Sequence, residues 1–111
     1  MAFPPDPGQG SGSLTTSIRT ISAAAYSVNS SDATIRANAI GGAIVITLMA
    51  ASAAFGKVIT IKKVDASANM VTIMPQSGDT IDGVTSLGIS NQESSFTIQS
   101  NGVSWDIVGS V

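Results

Sequence analysis

A chain of 111 residues makes one domain, and without Cys or His it has no disulfide framework, no thiolate or imidazole metal site and no Cys–His or Ser–His catalytic pair. Five Lys plus Arg against seven Asp plus Glu give a net charge of −2, which offers no electrostatic footprint for phosphate backbones, so nucleic acid is not an expected partner. Charged residues are only 11% of the chain, and 17 Ser with 10 Thr supply the polar remainder, so hydroxyls rather than charges cover the surface.

Residues 1–13 carry Pro4, Pro5 and Pro7 with Gly8, Gly10 and Gly12, a composition that cannot bury enough apolar surface to offset its ordering entropy. They read as a flexible, extended N-terminal arm in which Phe3 is the large apolar anchor and Pro4, Pro5 and Pro7 keep the backbone stretched. This opening has neither a basic start nor an apolar core, so no secretory signal is expected.

Residues 14–111 read as a single β domain of short strands divided by turn clusters. Residues 16–22 and 24–28 come first, then the turn Asn29-Ser30-Ser31-Asp32, then residues 34–37 leading into Gly41-Gly42. In residues 43–48, Ile44, Ile46 and Leu48 face one way and Ala43, Val45 and Thr47 the other, which predicts a central strand covered on both faces. The uncharged window at 37–56 is long enough to cross a bilayer, but Asn38, Gly41, Gly42, Thr47 and Ser52 interrupt it, so no membrane segment is expected. Residues 49–55 are alanine-rich and predict one helical turn or a compact loop before Gly56.

In residues 57–63, Val58, Thr60 and Lys62 alternate against Ile59 and Ile61, and a short polar loop joins this strand to 70–74, which predicts a hairpin. Residues 79–81 give a short strand closed by Asp82-Gly83, and residues 86–89, 94–99 and 103–108 follow. Asn101-Gly102 is the strongest hairpin signal in the chain; across it Phe96 and Ile98 face Val103, Trp105 and Ile107. Ile44, Ile46, Ile59, Ile61, Phe96 and Trp105 are the candidate anchors of a core or a subunit interface. The pattern is that of an all-β protein, a compact antiparallel β-sandwich or jelly-roll-like barrel.

Little in the chain suggests reaction chemistry. Asp79 and Asp82 could hold a hard cation, but the spacing lacks the alternating oxygen ligands of a calcium loop, and turn chemistry accounts for both. Asp65, Glu93 and Asp106 are the carboxylates a glycosidase pair would draw on, yet all seven acids fall in or beside turns or on exposed strand faces, where solvation explains them. Lys57, Lys62 and Lys63 form either a basic patch or gatekeepers beside an aggregation-prone strand, and the second is favoured. Trp105 and Tyr26 could stack on a sugar; Trp105 reads better as core, and Tyr26 has no assignment. No catalytic residue, cofactor or metal is expected.

The segments Ile44-Val45-Ile46-Thr47-Leu48, Thr60-Ile61-Lys62-Lys63 with Asp65, Ser67-Ala68-Asn69, Val71-Thr72-Ile73, Thr80-Ile81-Asp82-Gly83 and the run from Phe96 through Asn101-Gly102 to Trp105 follow in a suggestive order. In that order the chain resembles a small β module of tailed-bacteriophage virion proteins, found in capsid decoration proteins, head fibres and the ends of tail fibres or spikes. The likeness covers about the last two-thirds of the chain; Met49 stands where the pattern has a proline, and the arm has no counterpart. It implies a non-enzymatic structural protein of the virion, made in the host bacterial cytoplasm. Its expected role is as a decoration or cement protein on the outside of the head, partnered by the major capsid protein or another virion protein. The alternative is a receptor-recognition or structural module of a tail fibre or spike. Composition argues for self-association, and the resemblance implies a homotrimer.

Overall fold

Most strands of this chain are short runs in which Ile or Val alternates with a hydroxyl or small residue, and that period of two gives each strand one face to bury. The computed structural model describes residues 16–111. In them lie nine strands: β1 Ile18–Ile21, β2 Ala25–Ser27, β3 Thr34–Ala37, β4 Ile44–Thr47, β5 Val58–Lys63, β6 Val71–Met74, β7 Leu87–Ile89, β8 Ser95–Ser100 and β9 Trp105–Ser110. The alanine-rich segment makes a single 3-10 turn at Ala51–Ala53, the expected helical turn.

Two sheets result, one in the order β1-β3-β5-β8-β9 and the other β2-β4-β6-β7. Through β6 the chain alternates between them, so each pass lays one strand in each sheet beside the strand of the pass before. Neighbours laid down in this way run parallel: β1 with β3 with β5, and β2 with β4 with β6. Backbone hydrogen bonds tie pass to pass. The Thr60 N–H donates to the Ala33 carbonyl (2.8 Å), and the Val45 N–H to the Ala24 carbonyl (2.9 Å). The remaining strands add antiparallel, β7 on β6, β8 on β5 and β9 on β8. The inward faces of both sheets share one core: Ile35, Ile59, Ile61 and Ile98 from the first, Ile44, Ile46, Val71, Ile73 and Ile89 from the second, with Leu48, Ile81 and Trp105 joining them. Each such side chain contributes roughly 1.5–3 kcal/mol by burial, so this shared core joins the sheets.

The all-β expectation holds, and the antiparallel one does not. Both sheets are mixed, and neither closes into a barrel among the described residues, since β1, β9, β2 and β7 are edges. Alternation specifies which face a strand buries and leaves the direction of its neighbour open. For the same reason β5 and β6 are not a hairpin but lie in different sheets. Their connection is drawn onto the preceding pass, where the Ala39 N–H donates to the Asp65 carboxylate (2.6 Å).

Residues 79–81 form no strand; Ile81 makes only isolated bridges, to Val84 and to Trp105. Asp82-Gly83 does form the expected tight turn, with φ of 47° and 83°, and Ile81 and Val84 exchange hydrogen bonds of 2.8 and 2.9 Å across it. β4 is central in its sheet, yet Val45 on its outer face is exposed. The last hairpin turns at Asn101-Gly102 with Gly102 at φ 92°. The Asn101 side-chain oxygen accepts the N–H groups of Val103 and Ser104, both at 2.9 Å. Ile98 faces Ile107 as expected, whereas Trp105 lies opposite Ser100, Phe96 opposite Ser110, and Val103 belongs to the turn.

Candidate interaction surface

Two carboxylates expected at the surface are buried, each by a local cause. Asp32, just before β3, is 2% exposed. It accepts hydrogen bonds from Arg19 Nε (3.0 Å), the Tyr26 hydroxyl (2.7 Å) and the Asn29 N–H (3.0 Å). The Arg19 guanidinium also stands over the Tyr26 ring, 5.7 Å from its centre. Lys57 Nζ donates to the carbonyls of Asp32 (2.6 Å) and Ser30 (3.0 Å), so one acid joins the first, second and third passes. Burial opposes the charge on Asp32, but the donors on Asn29, Tyr26 and Arg19 outweigh it and hold its carboxyl below the ordinary value of 3.8. Burial, and then the bond to Asp32, push the Tyr26 hydroxyl above 10.0.

The second is Asp65, in the turn after β5. Its partners are Lys63 Nζ (2.7 Å), the Ala39 N–H (2.6 Å), the Ser67 N–H (3.0 Å) and the Ser67 hydroxyl. Asn69 completes the cluster, its side-chain amide donating to the Ala39 carbonyl at 2.8 Å. Burial again works against ionisation, and Lys63, Ser67 and the backbone donors override it, placing Asp65 well below the usual carboxylate range.

Lys63 is therefore no gatekeeper. It lies fully buried in phase with Ile59 and Ile61, while Lys62 points outward and pairs with Glu93 at 3.5 Å. The other acids have separate partners: Asp79 accepts the Ala51 N–H (2.9 Å), Asp82 the Ile107 N–H (3.1 Å), and Asp106 the Asn101 side-chain amide (3.1 Å). Of the candidate anchors, Ile44, Ile46, Ile59, Ile61 and Trp105 have no exposed surface, and Phe96 packs half-buried against the cluster. Trp105 Nε1 has no hydrogen-bond partner among the described residues. The arm candidates Phe3, Pro4, Pro5 and Pro7 lie outside the described residues.

Two regions of the described surface stand out. At the end bearing the β8–β9 turn, Phe55 (79% exposed) and Val103 (80% exposed) stand together. The Phe55 ring lies so close to Gly102 that a Cβ there would come within 3.0 Å of it. The Gly56 N–H bonds to the Ser100 carbonyl (2.9 Å) and fixes the loop that carries Phe55. In sequence Phe55 hid inside the alanine-rich segment, where only its size set it apart.

The second region is the outer face of the β2-β4-β6-β7 sheet. Register places Ala25, Val45, Thr72 and Gly88 in one row and Ser27, Thr47 and Met74 in the next, with no ionisable side chain. The outer face of the other sheet differs, for Arg36, Lys62 and Asp106 stand on it. The chain matches no family model and no curated protein.

Proposed function

We propose that the protein is a non-enzymatic structural component of a tailed-phage particle: a homotrimeric decoration protein on the outer face of the head, in which the two sheets act as the layers of a sandwich-like body. The observation that carries this reading is the apolar end. Phe55 and Val103 are almost fully exposed yet held on a short loop and a hairpin turn, an arrangement suited to docking on another protein surface. The resemblance of the segments from Ile44 to Trp105 to virion β modules supports the setting. The uncharged outer face of β2, β4, β6 and β7 supports self-association, because a second copy brings no like charge against it. Binding only to an assembled lattice stabilises that lattice by mass action.

The test is the number of copies per major capsid protein in purified particles. Hundreds per particle fit decoration. A few tens at most would place the protein in a tail fibre or spike, and none would remove it from the virion.

A further inference from the structure

At the end where β7 leaves its sheet and β8 enters the other, the two sheets part around a cleft of about 230 Å³. Its wall carries the half-buried Phe96, with Ile89 buried beside it and Ser90, Asn91, Ser94 and Ser110 around it. Ser110 is the cross-strand partner of Phe96, so hydroxyl and aromatic ring share one face. The backbones of Ser95 and Val111 close one end with paired hydrogen bonds of 3.0 and 3.2 Å.

Two properties identify what such a cleft recognises. None of its lining residues has an ionisable side chain, so it offers no side-chain cation to a phosphate or a carboxylate. Its polar side chains are also uncommitted: those of Ser90, Asn91, Ser94 and Ser110 form no hydrogen bond among the described residues. Elsewhere Asn29, Asn38, Asn69 and Asn101 are each bonded to nearby backbone. Serine hydroxyls and a carboxamide both donate and accept, which matches a ligand whose groups do the same, and an aromatic side chain covers an apolar ring face. The volume is below that of a typical drug-sized pocket, which restricts the occupant to one ring.

We infer that this cleft binds a single neutral sugar residue, as a free monosaccharide or as one unit of a glycan. The site is separate from the apolar end at Phe55 and Val103, so attachment to particles and sugar binding are independently measurable, and either stands if the other fails.

The test is an amide-resolved NMR titration of the full chain with glucose, galactose, mannose and N-acetylglucosamine, with glycerol and glucuronate as comparators. At least one neutral sugar should give saturable shifts at millimolar concentration, centred on the amides of Ser90, Asn91, Ser94 and Ser110. Asn91→Ala, at an exposed turn, and Ser110→Tyr, which fills the cleft, should each weaken binding about tenfold without changing the melting temperature. Retained affinity in whichever variant remains folded overturns the assignment. So do equal shifts with glycerol, tighter binding of glucuronate, or no saturable shift with any of the four sugars.

Discussion

Trp105 offers a substitution pair whose outcomes diverge. Its side chain is wholly buried, and a Trp in that state removes roughly 150–250 Å² from water. At about 25 cal/mol per Å² this is a gross 4–6 kcal/mol. Allowing for what alanine retains and for incomplete collapse of the cavity, Trp105→Ala should cost ~3–5 kcal/mol. Trp105→Phe is different. It keeps an aromatic ring against the core and deletes the pyrrole edge, losing ~1–2 kcal/mol of packing. It also removes an indole N–H with no partner among the described residues, whose desolvation costs ~1–3 kcal/mol. The two nearly cancel, and Trp105→Phe should lie within ~1 kcal/mol of the parent. Urea unfolding followed by far-ultraviolet circular dichroism separates the cases: with a slope near 1.5 kcal/mol/M, the midpoint should fall by roughly 2–3 M for alanine and by less than about 1 M for phenylalanine. If phenylalanine is as damaging as alanine, the indole N–H is bonded in the folded protein and the reasoning fails.

Acid should weaken the fold from a defined point. Asp32 and Asp65 both ionise below 3.8 when folded, so their contribution is complete above that value and declines as pH drops through the folded-state values. The melting temperature should fall below about pH 4, and fall less steeply in Asp32→Asn; a flat profile to about pH 2 would count against both clusters. Gly102→Val places a branched side chain at φ 92° and against the Phe55 ring, so a loss of about 2–3 kcal/mol is expected in denaturant titration, and an unchanged midpoint would contradict the hairpin. Val45→Lys should reduce a trimer to monomers by light scattering without altering the circular dichroism spectrum; an unaltered mass removes the β2-β4-β6-β7 face from the interface. Deleting residues 2–13 should leave melting unchanged and weaken attachment to particles at least tenfold, roughly 1.4 kcal/mol, whereas equal decoration would assign attachment to the β body alone.

How much of this could be read from the residues depended on distance along the chain. Turns announce themselves locally: Asp82-Gly83 has positive φ at both residues, and Asn101-Gly102 has it at Gly102. Strand positions follow from alternation, and β3 occupies the expected residues. Pairing does not follow, because the winding has no fixed period: the equivalent positions Ile18, Thr34 and Thr60 are separated by unequal lengths of chain, which conceals the repeat. Lys63 was legible in principle. It continues the phase of Ile59 and Ile61, and Asp65 two residues later supplies the countercharge, but a lysine at a strand end reads first as solvated. Tyr26 and Phe55 take their roles from partners outside their own strand or loop, Asp32 six residues on across a turn and Gly102 on the β8–β9 hairpin, and strand alternation carries no such information. The cleft at Phe96 was out of reach for the same reason, since it exists only where β7 and the β8–β9 pair end together.

The winding also sets an order of loss. Among the described residues the pass made of β1 and β2 has a neighbour on one side only, its strands are short and mostly exposed, and backbone hydrogen bonds with the Asp32 cluster tie it to the next pass. β5, held by β3 on one side and β8 on the other, opens only after an edge strand has left. When the first pass comes away, it leaves β3 and β4 as parallel edges already in the phase that a first pass requires. The piece of sequence best matched to those edges is the same pass from another molecule. Partial opening of this fold therefore favours exchange between copies, a reversible linkage that preserves every native pairing, over indiscriminate edge-to-edge aggregation.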